Sequence, residues 1–456
     1  MTDMHRTPPP QWSGVRRLPG LEGRIPKFDR GAVVLSTVGS LGDLYPVLAI
    51  ARRLEMAGLE PRLALSPDDC EVARSWGLLA HPVGPSAAEI CERLGVDRDR
   101  IAESILRDPG PMIDQVLIPI LPAMVQQIDA LAEGATCVAA TTFALAAPLA
   151  AERAGLPYVP LMLQPMLGFS ALDPPRGKGF DLMRHPPRGP VGRAWNRTVI
   201  AVARAELRRR HRRKLDAVRA RLGLPPDPGV PLIDPGGDVP LRLGLWSDRF
   251  APPPPDADPT LRVVGFPPAP EGELPHGVRD WIDAGPPPLV VTLGSVAQSL
   301  AGPHFWAEAV ALARRLDLRA VLLRGEAEVP EGPDILSLRY AAHAPLFPRA
   351  AIVLHHGGIG STAEAIRSGR PQFVVPIGGD QPDNAARLVA MGLAVSLPPR
   401  RFTAARAAVL LDGLLRRFDY GAAGTLAEAE AERNGAGEAA LHLARIALRR
   451  PPPRAD

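Results

Sequence analysis

The chain has 456 residues, 43 of them Gly and 54 Pro, with a hydrophobic fraction of 46%. It can build a sizeable core, which excludes a small disulfide- or metal-stapled module, a collagen-like chain and a fully disordered one. The 53 Lys and Arg against 49 Asp and Glu leave a formal charge of +4, too weak a bias to point to a nucleic-acid partner.

Residues 1–30 hold no apolar segment of signal-peptide type, only Pro8, Pro9, Pro10 and scattered charges, and are expected to be a flexible leader. Cys70, Cys91 and Cys137 form no CxxC pair, so a reducing, cytoplasmic setting is expected. Ala32–Thr37 (AVVLST) predicts a buried strand, followed by a glycine turn over Val38–Tyr45. Pro46 then opens a predicted helix, because proline suits a first helical turn, and Gly58 ends it. Arg62–Leu65, Leu78–Val83, Cys137–Ala140 and Tyr158–Leu163 read as further strands, with helices around Met112–Leu131 and Leu145–Ala154. Residues 134–151 carry no charge, but Thr136, Thr141, Thr142 and Pro148 interrupt them. A strand, a turn and a buried helix fit that stretch better than a membrane span.

Residues 171–192 are rich in Pro, Gly and charge and read as a loop over the sheet. Residues 193–222 predict a long basic helix carrying Arg204, Arg208, Arg209, Arg210, Arg212 and Arg213. Such a face is either solvated or in contact with a membrane surface or an anionic acceptor. Leu241–Leu245 and Leu261–Val264 close the first alternating series. Pro, Gly and acidic residues dominate 267–288, the best boundary in the chain. Beyond it, Leu289–Leu293, Ala320–Leu323, Ile335–Leu338, Ala351–Leu354 and Gln372–Val375 predict strands. Helices are expected near His304–Leu316, Ser361–Ser368 and Asp383–Met391, and along most of the chain from Phe402 to Arg449. The expected fold is α/β: two doubly wound domains, 31–266 and 289–440, facing across a cleft, with 441–456 as a helix end and Pro-rich tail.

Three strand-to-helix corners carry the chemistry. Gly39-Ser40-Leu41-Gly42-Asp43 follows the first strand, where ligands bind in open parallel sheets. Asp43 is either a helix cap or dipole partner, or a general base facing the cleft. His355-His356-Gly357-Gly358-Ile359-Gly360-Ser361-Thr362-Ala363-Glu364 also follows a strand and opens a helix. Its glycines and hydroxyls suit a phosphate or diphosphate, because helix N-termini offer unpaired donors and a favourable dipole. No lysine follows, so it is not a Walker loop. Pro376-Ile377-Gly378-Gly379-Asp380-Gln381-Pro382-Asp383-Asn384 supplies neighbouring acceptor and donor groups for sugar hydroxyls, or a plain cap and turn. Gly294-Ser295 and Tyr340-Ala341-Ala342-His343 edge the same cleft; His343 reads equally as a packing residue. Adjacent His355 and His356 cannot share one helical face, and no HExxH is present, so no metal is expected. A serine hydrolase is unsupported, because the Gly-x-Ser-x-Gly elbow is missing.

Over about residues 32–440 these motifs resemble the nucleotide-sugar-dependent glycosyltransferases of GT-B fold, in particular the bacterial antibiotic and sterol glucosyltransferases related to UDP-glycosyltransferases. The marks are His355 through Asn384 and Gly39-Ser40-x-Gly42-Asp43-x-x-Pro46. The resemblance implies that His356 contacts the donor diphosphate, with Gly357, Gly358, Ser361 and Thr362 near it; Gly42, Gly294, Ser295, His343 and Gly360 are read from the sequence as further donor-site residues. It further implies that Glu364 binds ribose, Asp380 and Gln381 the transferred sugar, and Tyr340, in place of a tryptophan, borders the base. Asp43 would deprotonate the acceptor hydroxyl for attack with inversion. The expected donor is a UDP- or dTDP-sugar, with no metal. The expected acceptor is a lipophilic small molecule or lipid, received by loops near 84–115 and 165–200 that carry Met112, Ile113, Met166, Leu167, Phe169, Phe180 and Met183. The family often has Arg or Thr where Leu41 stands, and bulkier residues at Gly378-Gly379. A UDP-sugar epimerase or a non-catalytic nucleotide-sugar binder would share the architecture. The expected location is cytoplasmic, with the basic helix near 204–214 against the inner membrane face, and no nucleic-acid partner.

Overall fold

A computed structural model describes residues 31–97, 101, 105, 108–227, 229, 238–270, 272–294 and 298–449. The expected leader 1–30, Ser295 and the Pro-rich end after residue 449 lie outside the described residues. The first half contains β1 (Ala32–Ser36), α1 (Leu41–Met56), β2 (Glu60–Leu65), α2 (Pro67–Ser75), β3 (Ala80–Pro82) and α3 (Ala87–Leu94). A π-helical turn (Met112–Leu117) leads into α4 (Ile118–Ala132), followed by β4 (Ala135–Thr141), α5 (Ala146–Arg153), β5 (Tyr158–Met162), α6 (Gly189–Arg221), β6 (Arg242–Gly244) and β7 (Leu261–Val263). All pairings are parallel, in the order β3-β2-β1-β4-β5-β6-β7.

Alternation along β1 explains its unbroken apolar run. Val33 and Leu35 enter one core with Leu44 and Leu48 of α1; Ala32 and Val34 enter the other with Leu121 and Val125 of α4. Helices cover both faces, so residues of both parities along the strand are buried and mostly apolar.

The second half repeats the plan with α7 (His276–Asp283), β8 (Leu289–Thr292), α8 (Gln298–Arg315), β9 (Ala320–Leu323), β10 (Ile335–Leu338), α9 (His343–Leu346), β11 (Ile352–His355), α10 (Ile359–Ser368), β12 (Gln372–Val374), α11 (Gln381–Ala390) and β13 (Ala394–Ser396). Its parallel sheet runs β10-β9-β8-β11-β12-β13. The chain then forms α12 (Ala404–Leu415), α13 (Tyr420–Glu432) and α14 (Gly435–Arg449). Thus two parallel sheets, each flanked by helices, make the two Rossmann-like layers of a GT-B-like fold. In each sheet the strand order reverses once, between β1 and β4 and between β8 and β11. The crevice at the carboxyl ends of such strands is where ligands bind.

Several elements depart from the sequence expectation. α1 begins at Leu41, not at Pro46, which lies in its second turn. A capping box at Ser40 and Asp43 starts the helix earlier, and this outweighs the preference of proline for a first turn. The long helix around 112–131 opens with a π turn, and Met112 and Ile113 are core residues rather than acceptor-loop residues. Met112–Ala132 is apolar and long enough to cross a membrane, and half of that window is buried within the fold. α7 lies inside the 267–288 stretch and sends Val278 and Ile282 into the core under β8. The last helix returns to the first sheet: Ala439, Leu443 and Ala447 of α14 share a core with Val33 and Leu54.

Candidate functional site

The first corner is built at the end of β1. Thr37 and Thr141, at the ends of the neighbouring strands β1 and β4, join hydroxyls at 2.8 Å. Ser40 then caps α1: its backbone N–H and its hydroxyl both donate to Asp43 Oδ2, at 2.8 and 2.9 Å. Gly42 N–H returns a bond to Ser40 Oγ at 3.2 Å. Asp43 is therefore a capping residue of α1 beside the carboxyl end of β1. Burial raises its carboxyl above the usual range, opposed by the hydrogen bonds from Ser40. Gly39 leaves room for this arrangement, since a Cβ there would lie 2.5 Å from the Asp43 carboxyl carbon.

The second corner joins the ends of β8 and β11. His355 is spent on structure: its ring meets Gln372 Oε1 at 3.1 Å and accepts from Gly357 N–H at 3.2 Å. His356 differs. Its ring is buried and its Nδ1 has no hydrogen-bond partner among the described residues. Burial, then the charges of His355 and His343, hold it down to about 3, so it is a neutral imidazole at ordinary pH. Two glycines admit that ring. A Cβ on Gly294 (φ +66°) would come 2.6 Å from its Cε1, and one on Gly358 would press on its Nε2. Gly357 (φ +86°) turns the chain against Val374, where a Cβ would come within 2.9 Å.

Gly358 is the N-cap of α10, with no side-chain cap and no acidic residue in the first turn. The leading N–H groups of α10 thus have no side chain of their own to bond. Gly360 faces open space, with nothing within 4 Å of a built Cβ. Ser361 and Thr362 are buried beside it, and Thr362 Oγ1 lacks a partner. An uncapped helix start with an unpaired imidazole and an unpaired hydroxyl is chemically suited to an anion with several acceptor oxygens.

The third corner packs against the second. Gln381 Oε1 accepts from Ile377 and Gly378 N–H at 2.7 and 3.1 Å, which leaves its amide NH₂ as the donor for a ligand. Asn384 Nδ2 donates to Asp380 Oδ2 at 2.6 Å and to the Gly357 carbonyl at 2.9 Å, tying the two loops together. Asp380 is pushed up to about 7, first by burial and further by the charge of Asp43. The two carboxylates thus feel each other across the cleft. On this side Glu364 is buried and paired with Arg367 at 2.5 Å, while Arg367 also holds the Phe266 carbonyl at 2.9 Å.

Matches to known proteins follow this geometry. Residues 320–439 match the family model described as the C-terminal domain of erythromycin biosynthesis protein CIII-like proteins. Glycosyltransferase GtfE of Amycolatopsis orientalis is 31% identical over 381 residues, covering 80% of this chain and 85% of that protein. The chain is a GT-B glycosyltransferase. It belongs with the bacterial antibiotic and sterol glucosyltransferases and their UDP-glycosyltransferase relatives. Vancomycin aglycone glucosyltransferase of the same organism is 28% identical over 388 residues, covering 80% of this chain and 85% of that protein. The solved glycosyltransferase VinC, in complex with dTDP, superposes with a TM-score of 0.62 at 22% identity, over 92% of this chain and all of VinC. At family level this glycosyltransferase uses a nucleotide sugar and a small-molecule acceptor.

The glycosyltransferase cleft holds residues that sequence patterns did not single out. Tyr45 of α1 stacks on Trp76 at 5.5 Å, and Tyr340, half exposed in the second half, is close enough to raise the Tyr45 phenol further after burial. Asp69 of α2 is raised by burial and, in part, by Asp43. His343 stacks on Phe347 at 4.5 Å and is lowered to about 4 by burial and His355. That ring is occupied in packing. Of the expected acceptor-loop residues, Phe169, Phe180 and Met183 pack with one another and with Ile200 in a satellite core. Leu167 instead lines a cleft between β5, α6 and the 251–258 loop. Among the described residues, no group of three or more His, Cys, Asp or Glu converges as a metal site.

Proposed function

We propose that this glycosyltransferase moves a sugar from a UDP- or dTDP-sugar to a hydroxyl of a lipophilic small molecule or lipid, with inversion. One observation carries the reading: the start of α10 has no side-chain cap beside the unpartnered His356 imidazole, and Asp380 of the neighbouring turn is close enough to Asp43 to be raised by its charge. In this reading the diphosphate rests on the N–H groups of α10, Ser361, Thr362 and His356, and their charge complementarity grows as the nucleotide leaves. Asp380 and the Gln381 amide hold the sugar hydroxyls. Tyr340 borders the base, Glu364 shares the ribose with Arg367, and Gly42 and Gly294 shape the rim. Asp43 takes the acceptor proton as its oxygen attacks the anomeric carbon; the raised carboxyl is a stronger base than an exposed aspartate. No metal is required in this mechanism.

Residues 31–266 then form the acceptor domain, 289–440 the donor domain, and 267–288 the link. We place the protein in the cytoplasm, with α6 resting on the inner membrane face through exposed Arg208–Arg210, Arg212, Arg213 and Trp195. A donor-by-acceptor screen read by product mass tests the reaction. Glycoside plus free nucleotide supports it; an epimerised nucleotide sugar, or reaction with hydrophilic acceptors alone, contradicts it. Co-sedimentation with anionic but not neutral vesicles tests the membrane contact.

A further inference from the structure

The segment that follows β5 crosses from one half of the molecule to the other. It is pinned first in its own half. Ser170 donates its hydroxyl to Asp256, Ala171 N–H donates to the same carboxylate at 2.9 Å, and Asn196 Nδ2 holds the Ala171 carbonyl at 3.1 Å. A few residues later it grips α11. Asp173 pairs with an Arg387 Nη at 2.8 Å, Arg387 Nε donates to Asp383 Oδ2 at 2.8 Å, and Arg176 N–H donates to Asp383 Oδ1 at 3.2 Å. Gly177 (φ +137°) lies against the sugar-side loop, where a built Cβ would stand 3.3 Å from the Gly379 carbonyl.

The grip falls on the turn that carries the donor-side groups. Asp383 is 1% exposed and the Arg387 side chain 12%, so their pair is withdrawn from water; Asp173, at 43%, is its accessible end. Asp383 lies next to Asn384, whose amide bonds both Asp380 and Gly357. A shift of the first turn of α11 would therefore move the Asp380 carboxylate and the phosphate-side turn together. Arg387 with only Asp383 to hold has freedom that the second carboxylate removes.

We propose that Asp173 is a positioning residue for the transferred sugar: from the acceptor half, through Arg387 and Asp383, it fixes the first turn of α11 and so the register of Asp380 against Asp43. This rests on the reading of Asp380 as a sugar-side group. It separates two tasks, because the nucleotide is held at α10 and the sugar is aligned by a strap from the opposite half.

The test uses the full chain and the variants Asp173→Asn, Asp173→Glu and Gly177→Ala, with calorimetric affinities for UDP and dTDP beside donor KM and kcat. The Asp173→Asn variant should keep nucleoside-diphosphate affinity within twofold while donor kcat/KM falls about 3–10-fold, the scale of one half-exposed ion pair coupled to a site. The Asp173→Glu variant should recover most of the loss. Gly177→Ala, which presses on the Gly379 carbonyl without touching an ion pair, should lower kcat/KM in the same direction. Wild-type kinetics in Asp173→Asn would overturn the proposal. So would a loss of nucleotide affinity as large as the loss in kcat/KM, since that marks general damage rather than alignment of the sugar. A wild-type protein that binds neither nucleotide would overturn the donor-site reading itself, and this proposal with it.

Discussion

The corners after β1 and after β11 are built alike and finished differently. Each follows a buried parallel strand beside the point where strand order reverses, and each opens a helix through a glycine-bearing turn. At the first, Ser40 and Asp43 bond each other and fill the helix start from within. At the second, Gly358 offers no side chain, and His356 and Thr362 keep polar atoms without partners among the described residues. A helix start carries about half a positive charge in either case. The first corner spends it on its own carboxylate, which Ser40 orients and which burial, against those hydrogen bonds, makes more basic. The second keeps it for a ligand. On this contrast rests the proposal that the first corner takes the proton and the second binds the anion.

Replacing the carboxylate should break the first corner alone. Asp43→Asn keeps an oxygen that can accept from Ser40, so the fold should persist and nucleotide affinity should hold. Transfer should fall by about 10²–10⁴ in kcat, the usual worth of a general base; steady-state kinetics with an active acceptor would read it, and unchanged turnover would remove Asp43 from the mechanism. His356→Ala probes the other corner. Losing a hydrogen bond to a charged group should weaken nucleotide binding by about 10–100-fold, measured by titration, with turnover falling too.

A smaller effect sharpens the comparison through stability. The folded chain keeps the Asp380 proton up to about pH 7, whereas an unfolded chain releases it near its ordinary 3.8. The folded state therefore binds more protons within that window and loses stability as pH rises through it. Asp380→Asn removes the penalty. Its melting temperature should exceed that of the wild type by a few degrees at pH 8, with about 2–4 °C per kcal/mol for a domain of roughly 150–250 residues, and the gap should narrow towards pH 5. A gap independent of pH would show that Asp380 ionises normally.

Much of this site was legible because it is local in sequence. The run from His355 to Glu364 announced a strand, a glycine turn and a helix start, and α10 begins within two residues of the expected place. Asp43 was legible as either cap or base, and the structure shows the cap. The early start of α1 was written in Ser40-x-x-Asp43 as a capping pattern, but Pro46 drew the boundary forward. α2 and α3 carried the same kind of signal, in Ser66 before Pro67 and in Ser86 with Glu89. What stayed hidden was non-local. Strand order, the Tyr45–Tyr340 approach, the stacking of His343 on Phe347 and the Asp173–Arg387 pair join residues that only the folded chain brings together. Apolar loop residues such as Phe169 and Phe180 suggested a pocket by composition, yet their nearest partners are each other.

In the proposed mechanism the start of α10 is left open for the nucleotide diphosphate, and Gly360 offers a clean way to close it. A side chain there meets open space, and an aspartate in the first turn of a helix favours the helix by about 0.3–1 kcal/mol. Calorimetric titration of UDP and dTDP into the wild type and into Gly360→Asp, side by side, is the direct measurement. The account predicts saturable binding to the wild type and a loss of about 100-fold or more in the variant, from like charges brought together, with melting temperature unchanged or higher. Equal binding to both proteins, or binding to neither, would contradict it.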